Sequence, residues 1–374
     1  MKSLLLLALA LFACNPVANP VFGCKVSSSP PRFLDLQCPS GMWDADAPNP
    51  GAPGWQRGTA GDDLYVSSLI VLGWVAQGRA RTTDAGQVGQ RQALAWIASR
   101  AGKGGWLGER GTTHSMRDHA LATTTLNEAI HLEREQREDR DDIGLAKLCA
   151  TGAHLKVARR AVLAIQKAER FEGGWSATGR ATDPLDPMAT FWSAMALRSA
   201  LDNQLIEAAP ELDRAADWFR RHAESGTCTV RAEGMDLAKA TLVGLMVRSL
   251  TGEKLGARLG PEGLDRTLCS LIKTCPTWEA DPARVFLTQL VCMRLESDAW
   301  KAWDLCMRAR AKPLLGHGFA PVGTAPAATG TLASSAYGDL LLTVYFRYDT
   351  LVGVRELPAA ALPDPAAPEA ARED

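Results

Sequence analysis

His114, Asp118 and His119 are the densest group of chemically versatile side chains in this 374-residue chain: a carboxylate and two imidazoles at the opening of an apolar helical run. Residues of these types, so close together, suit a metal ion or a proton transfer. The same residues also have a structural use, with Asp118 capping its helix and His119 packing at the corner beside Trp106. Asp186 poses the same question. In Asp183-Pro184-Leu185-Asp186 the prolines at 184 and 187 suit a turn, and an Asp ahead of an apolar run is a helix cap. Asp62-Asp63 precede Leu64, Val66, Leu69 and Ile70 and read in the same way. The catalytic candidates are therefore Asp118, His119 and Asp186, each with a structural alternative. No Cys pair has CxxC spacing, so neither a zinc site nor another cofactor is expected.

Further polar groups fall inside apolar runs: Thr123-Thr124-Thr125, Ser193, Lys239 with Thr241, Thr288-Gln289 and Ser334-Ser335. If they face a common centre, that centre is partly polar and suits a peptide, a glycan or a small polar ligand better than a polyprene. Candidates for lining it are His114, Asp62, Asp63, Thr124, Trp192 and Lys239, with core packing as the competing use of Trp192. Trp106 and Trp175 follow Gly-Gly pairs, where a large ring covers the loop, and are read as structural.

The elements that must position these residues are helices. Apolar periodicity predicts a first helix from Asp63 to about Gln77, then helices at about 88–101, 117–131, 154–169, 187–201, 210–223, 235–250, 262–273, 283–296, 299–311 and 331–346. Alternating strand-like runs are nearly absent, so the class is all-α. Hairpins starting at Asp63, Asp118, Asp186, Asp236, Asp281 and about Leu332 give six units of roughly 50 to 70 residues, a period typical of helical repeats. Six such units suggest a closed ring, although the outer helix of one is not evident. The mixed-charge stretch 133–142 extends or follows the second inner helix as a solvated face.

Gly104-Gly105-Trp106 and Gly173-Gly174-Trp175 carry a resemblance. The chain resembles the prenyltransferase and squalene-oxidase repeat group, whose (α/α)6 toroid is shared by squalene-hopene cyclases, protein prenyltransferase β subunits and complement-type thioester domains. Residues 116–123, Ala299-Trp300-Lys301-Ala302-Trp303 and Tyr345-Phe346-Arg347-Tyr348 are similar to exported, planctomycete-type bacterial members. The resemblance covers about residues 60–348 and implies six helical hairpins around a central cavity. Its enzymes need motifs that this chain lacks. The cyclases protonate an alkene from D-x-D-D, and Asp183 to Asp186 has the wrong spacing. The prenyltransferases hold zinc with Asp, Cys and His, and no Asp-x-Cys with a suitable downstream His is present; His317 sits in a Gly-rich loop. The thioester sequence Cys-Gly-Glu-Gln is absent, and four Tyr leave few rings for a carbocation cage.

The remaining readings concern compartment and partners. Lys2 followed by the apolar run Leu4 to Phe12 reads as an export signal, and Leu11-Phe12-Ala13-Cys14 resembles a lipobox, with lipidation at Cys14 or simple cleavage as the alternatives. The expected location is the periplasm or a lipid anchor on a bacterial membrane, with Cys24 and Cys38 as the natural disulfide. Net charge of -1 gives no reason to expect nucleic acid. The expected organisation is a signal and lipobox at 1–14, a Pro/Gly-rich disordered linker at 15–57, the toroid at 58–348 and a disordered Ala/Pro-rich tail at 349–374. The expected function is non-catalytic binding of an apolar or peptide-like ligand, or of an envelope protein, at the mouth of the ring. The alternatives are a divergent cyclase or prenyltransferase-like enzyme and an envelope scaffold.

Overall fold

The structure is a computed structural model that describes residues 31–47, 57–77, 84–138, 152–224, 228–231, 234–256, 260–277, 280–295, 303 and 330–345. Among the described residues all regular structure is helical, with no strand and only isolated bridges at loop corners. The helices are α1 (Pro31–Asp35), α2 (Asp63–Ala76), α3 (Asp84–Ser99), α4 (Ser115–Glu138), α5 (Gly152–Lys167), α6 (Pro187–Asp202), α7 (Pro210–His222), α8 (Leu237–Leu250), α9 (Pro261–Lys273), α10 (Pro282–Arg294) and α11 (Gly330–Tyr345). Their bounds lie within a few residues of those the periodicity predicts, and α4 takes in the charged stretch as far as Glu138. The helix expected at 299–311 lies outside the described residues except for Trp303, which is helical and buried.

Two kinds of helix alternate. In α2 every residue from Leu64 to Ala76 is buried, and α6 is buried continuously from Ala189 to Ala200. Such all-round apolarity requires neighbours on every side. By contrast α7 buries Leu212, Ala215, Ala216, Trp218 and Phe219 on one face. Its opposite face keeps Arg214 about half exposed. The helices buried over most of their length pack on one another in cyclic order: α2 on α4, α4 on α6, α6 on α8, α8 on α10, α10 on α11, and α11 back on α2. The one-faced helices lie outside them, with α3 on α2, α5 on α4 and α6, α7 on α6 and α8, and α9 on α10.

The corner that joins an outer helix to the next inner one is built the same way three times. Gly102 N–H donates to the Trp106 carbonyl and Gly105 N–H to the Gly102 carbonyl; Arg170, Gly174 and Gly173 repeat that pattern. Cys38, Met42 and Gly41 repeat it again. Gly41, Gly105 and Gly173 all have positive φ, and a Cβ at any of them would lie 2.4 Å from the backbone of Gln92, Arg160 or Arg214, each on an outer helix. Only glycine fits such a corner.

The third corner revises the reading of residues 15–57 as a tether. Over 31–47 the chain folds onto the helices: Phe33 and Trp43 are fully buried, and Trp43 meets Trp74 edge to face at 5.1 Å. Trp43 Nε1–H donates to the Phe33 carbonyl ten residues back, as Trp175 Nε1–H donates to that of Ile165. The stretch is thus a shortened outer helix, α1, with its corner. Sequence periodicity misses it because five residues make little more than one helical turn. Cys14, Cys24, His317 and the tail lie outside the described residues.

Candidate functional site

A second hydrogen bond puts the inner helices in a common register. After each corner, a backbone N–H donates to a side chain one turn into the next inner helix: Trp43 to Ser67 Oγ (2.9 Å), Leu107 to His119 Nδ1 (2.9 Å), Trp175 to Thr190 Oγ1 (3.1 Å) and Val230 to Thr241 Oγ1 (3.0 Å). The residue just before the acceptor is Val66, Ala189 or Ala240 in three of these helices, and all three are buried. In α4 it is Asp118. A carboxyl group therefore occupies a position that elsewhere in the same molecule belongs to the apolar core, and burial of an ionised group there is costly unless it is paired and hydrogen-bonded. One residue earlier the four helices carry Tyr65, Arg117, Met188 and Lys239.

Asp118 is held by its neighbour. Arg117 Nε–H donates to Asp118 Oδ1 at 2.8 Å, and Arg117 Nη2–H reaches Asp62 Oδ1 at 3.1 Å. The guanidinium lies 3.8 Å over the ring of Tyr65, whose hydroxyl shares a hydrogen bond with that of Tyr337 on α11. All three charged side chains are less than one-fifth exposed. Burial pushes the Asp118 carboxyl up to about 6 despite the opposing pull of Arg117. Burial works against the charge on Arg117, but Tyr65, Asp118 and Asp62 together raise its pKa above the usual arginine value. Tyr65 is pushed up to about 12 by burial and stays a neutral phenol.

Of these groups Asp62 and Asp118 border a cleft of about 460 Å³, a volume suited to a small molecule. Asp62, Asp63, Asp118 and Glu109 bring carboxylates to it, Arg100 a guanidinium, and Leu64, Leu107, Met42 and Trp96 apolar walls. His114 and Ser115 complete the α4 side. Burial and then Arg117 lower the pKa of His114, while Asp62 and Asp186 act on it in the opposite sense. Among the described residues no hydrogen bond reaches Asp118 Oδ2.

His119, expected as a catalytic partner of Asp118, is placed elsewhere. Its ring is fully buried, stacks on Trp106 at 4.3 Å, and accepts the Leu107 N–H at Nδ1. Burial lowers its pKa to about 3 against an opposing contribution from the Ala161 backbone, so the imidazole stays neutral and holds the corner. Asp186 caps α6 through the Ala189 N–H at 2.6 Å. Asp118, by contrast, is no cap: α4 begins at Ser115, and the carboxylate is bound by Arg117. Asp62 makes no side-chain cap bond either, and Asp63 Oδ1 accepts the Ala45 N–H.

The other candidates separate from the cleft. Thr124 is fully buried, out of reach of the cleft, and gives its one proton to the Ala120 carbonyl of its own helix. Thr123 and Thr125 do the same with His119 and Leu121. Lys239 pairs with Asp281, the cap of α10, at 2.6 Å. Trp192 is fully buried, packed edge-on against Phe191 and stacked on Phe286 of α10 at 6.3 Å. Phe286 in turn meets Tyr337, so these rings bridge helices that are not neighbours in the cyclic order. Sequence reasoning missed Arg117, Tyr65 and Tyr337. The available signal was Arg117 beside Asp118 in a register that elsewhere pairs a large residue with a small apolar one.

No protein-family model, curated protein or solved structure matches this chain.

Proposed function

We propose that this chain is an exported (α/α)6 toroid of the prenyltransferase and squalene-oxidase repeat kind, and that it binds a small polar ligand in the Asp62–Asp118 cleft without transforming it. The contrast between interior and mouth carries this reading. A polyprene cyclase needs an open apolar chamber, whereas here Trp192, Phe286 and Tyr337 meet across the interior and are at most 1% exposed. The mouth has the open volume, and its lining mixes carboxylates, hydroxyls and a few apolar walls. The cyclic packing of α2, α4, α6, α8, α10 and α11 supports the toroid. The apolar run from Leu4 and the lipobox-like Cys14 support export with or without a lipid anchor.

Native mass spectrometry of the mature protein, purified gently from its own envelope fraction and then denatured, tests this. A stoichiometric polar small molecule that is absent from an Asp118→Asn preparation supports the cleft. A co-purifying isoprenoid or metal ion overturns the reading in favour of an enzyme. A clean mass directs attention to the envelope-scaffold alternative. The enzyme reading has one observation in its favour, the buried Asp118 carboxyl poised to exchange a proton. It requires Asp118→Asn to abolish turnover while leaving the fold intact.

A further inference from the structure

We infer that the cleft recognises a primary ammonium group on an aliphatic stem, docked on Asp118 Oδ2. This rests on the cleft being the ligand site. The local charge favours a cation. Four carboxylates (Asp62, Asp63, Glu109, Asp118) against Arg100 and the adjoining Arg117 give -4 + 2 = -2. The N-termini of α2 and α4 each add about half a positive charge, which leaves an excess of about one negative charge. A single ammonium neutralises it.

The geometry favours the same group. Arg117 occupies only Oδ1 of Asp118, and that side chain is 13% exposed, at a position that Val66, Ala189 and Ala240 fill in the matching helices. An acid placed in the core register and lining the cleft, with one oxygen that accepts no hydrogen bond among the described residues, is complementary to a donor brought by a ligand. The molecule contains its own example of such a pairing: Lys239, in the register of Arg117, sets its ammonium 2.6 Å from Asp281 at the start of α10. Leu64, Leu107 and Met42 provide the apolar wall that an aliphatic stem requires. The face of Trp96 is already covered by Arg100 at 5.5 Å, so recognition falls to the carboxylates rather than to an aromatic cage.

Isothermal titration calorimetry at low salt and neutral pH on the full mature chain tests this with four probes. Cadaverine and glycyl-lysine carry the ammonium as a free amine and as a peptide side chain; pentanediol and maltose are neutral. Cadaverine or glycyl-lysine should bind while pentanediol does not, and which of the two binds more tightly identifies the source. Asp118→Asn should weaken that binding by at least about tenfold, corresponding to loss of one charged hydrogen bond. If Asp118→Asn does not fold, Glu109→Gln in the rim gives the same comparison. Pentanediol binding as tightly as cadaverine, or amine binding unchanged in the variants, overturns the ammonium assignment. Maltose binding that depends on Asp118, without amine binding, removes the ammonium and leaves the cleft reading standing. Silence from all four probes, together with a clean native mass, removes both.

Discussion

Replacing Asp118 with Asn should stabilise the protein at neutral pH and leave it nearly unchanged in acid. The folded state holds the Asp118 carboxyl at about 6, above its ordinary 3.8, because burial outweighs the attraction of Arg117. A raised carboxyl pKa means that the folded protein binds a proton which the unfolded chain has already lost. Stability therefore falls as pH rises from 3.8 to about 6 and stays low above that. The loss is about 2.2 pH units at about 1.4 kcal/mol each, or about 3 kcal/mol as an upper figure. Asn mimics the protonated group and avoids this cost, while Arg117 keeps its bond to Asp62. For a domain of this size the gain corresponds to a rise in Tm of roughly 5–10 °C at pH 7.5. Differential scanning calorimetry of both proteins at pH 7.5 and pH 4 measures it, with the gain confined to the higher pH. A variant equally destabilised at both pH values would refute the reasoning. The Asp118–Arg117 pair would then be a net contributor to folding, and the case for a carboxyl held at a cost for a ligand would fall with it.

His119→Leu should cost about 2–4 kcal/mol, since the Leu107 N–H loses its acceptor in a buried corner and the Trp106 ring loses its stacking partner; urea unfolding measures it. With a folded pKa of about 3 against 6.5, wild-type His119 contributes stability that is full above pH 6.5 and declines as pH falls towards 3, so the variant's acid unfolding should be less steep. Gly173→Ala should cost at least about 2 kcal/mol in the same assay, because a Cβ there meets the Arg214 backbone at 2.4 Å and φ is +99°. Trp43→Ala should cost about 3–5 kcal/mol and open residues 31–47 to limited proteolysis; a neutral result would return that stretch to the tether role.

Helices were legible in the sequence because their causes are local. Apolar runs such as Leu64 to Ala76 and Met188 to Ala200 contain no break, and Asp186, Asp236 and Asp281 stand one residue before a helix and cap it. The corner glycines were legible for the same reason. Residues 31–47 were not, since their fold depends on Trp43 reaching Trp74 and Ser67 in a helix some 25 to 30 residues away. The cleft was half legible. His114, Asp62, Asp63 and Asp118 fall within it, but Thr124, Trp192 and Lys239 are taken up by a helix carbonyl, a ring stack and Asp281. No spacing rule separates an inward hydroxyl that serves a ligand from one that serves its own helix.

The helix starts depart from regularity at one place. At α6, α8 and α10 the Asp at the helix start caps its own backbone, which is the lowest-cost use of a carboxylate in that position. At α2 the acids at the helix start are turned aside: Asp62 shares Arg117 with Asp118 of α4, and Asp63 fixes the chain at Ala45. The α2 cap is thereby given up, and on the adjacent α4 a carboxyl enters a core register, where burial opposes its charge. Packing alone offers no compensation for this, because Val66, Ala189 and Ala240 fill the same register without it. Local rules broken together, around the open volume between two neighbouring helices, are the observation on which the proposed binding site rests. The cost therefore falls where a ligand can offset it, and Asp118→Asn separates the two contributions: it should gain stability and lose affinity in the same protein.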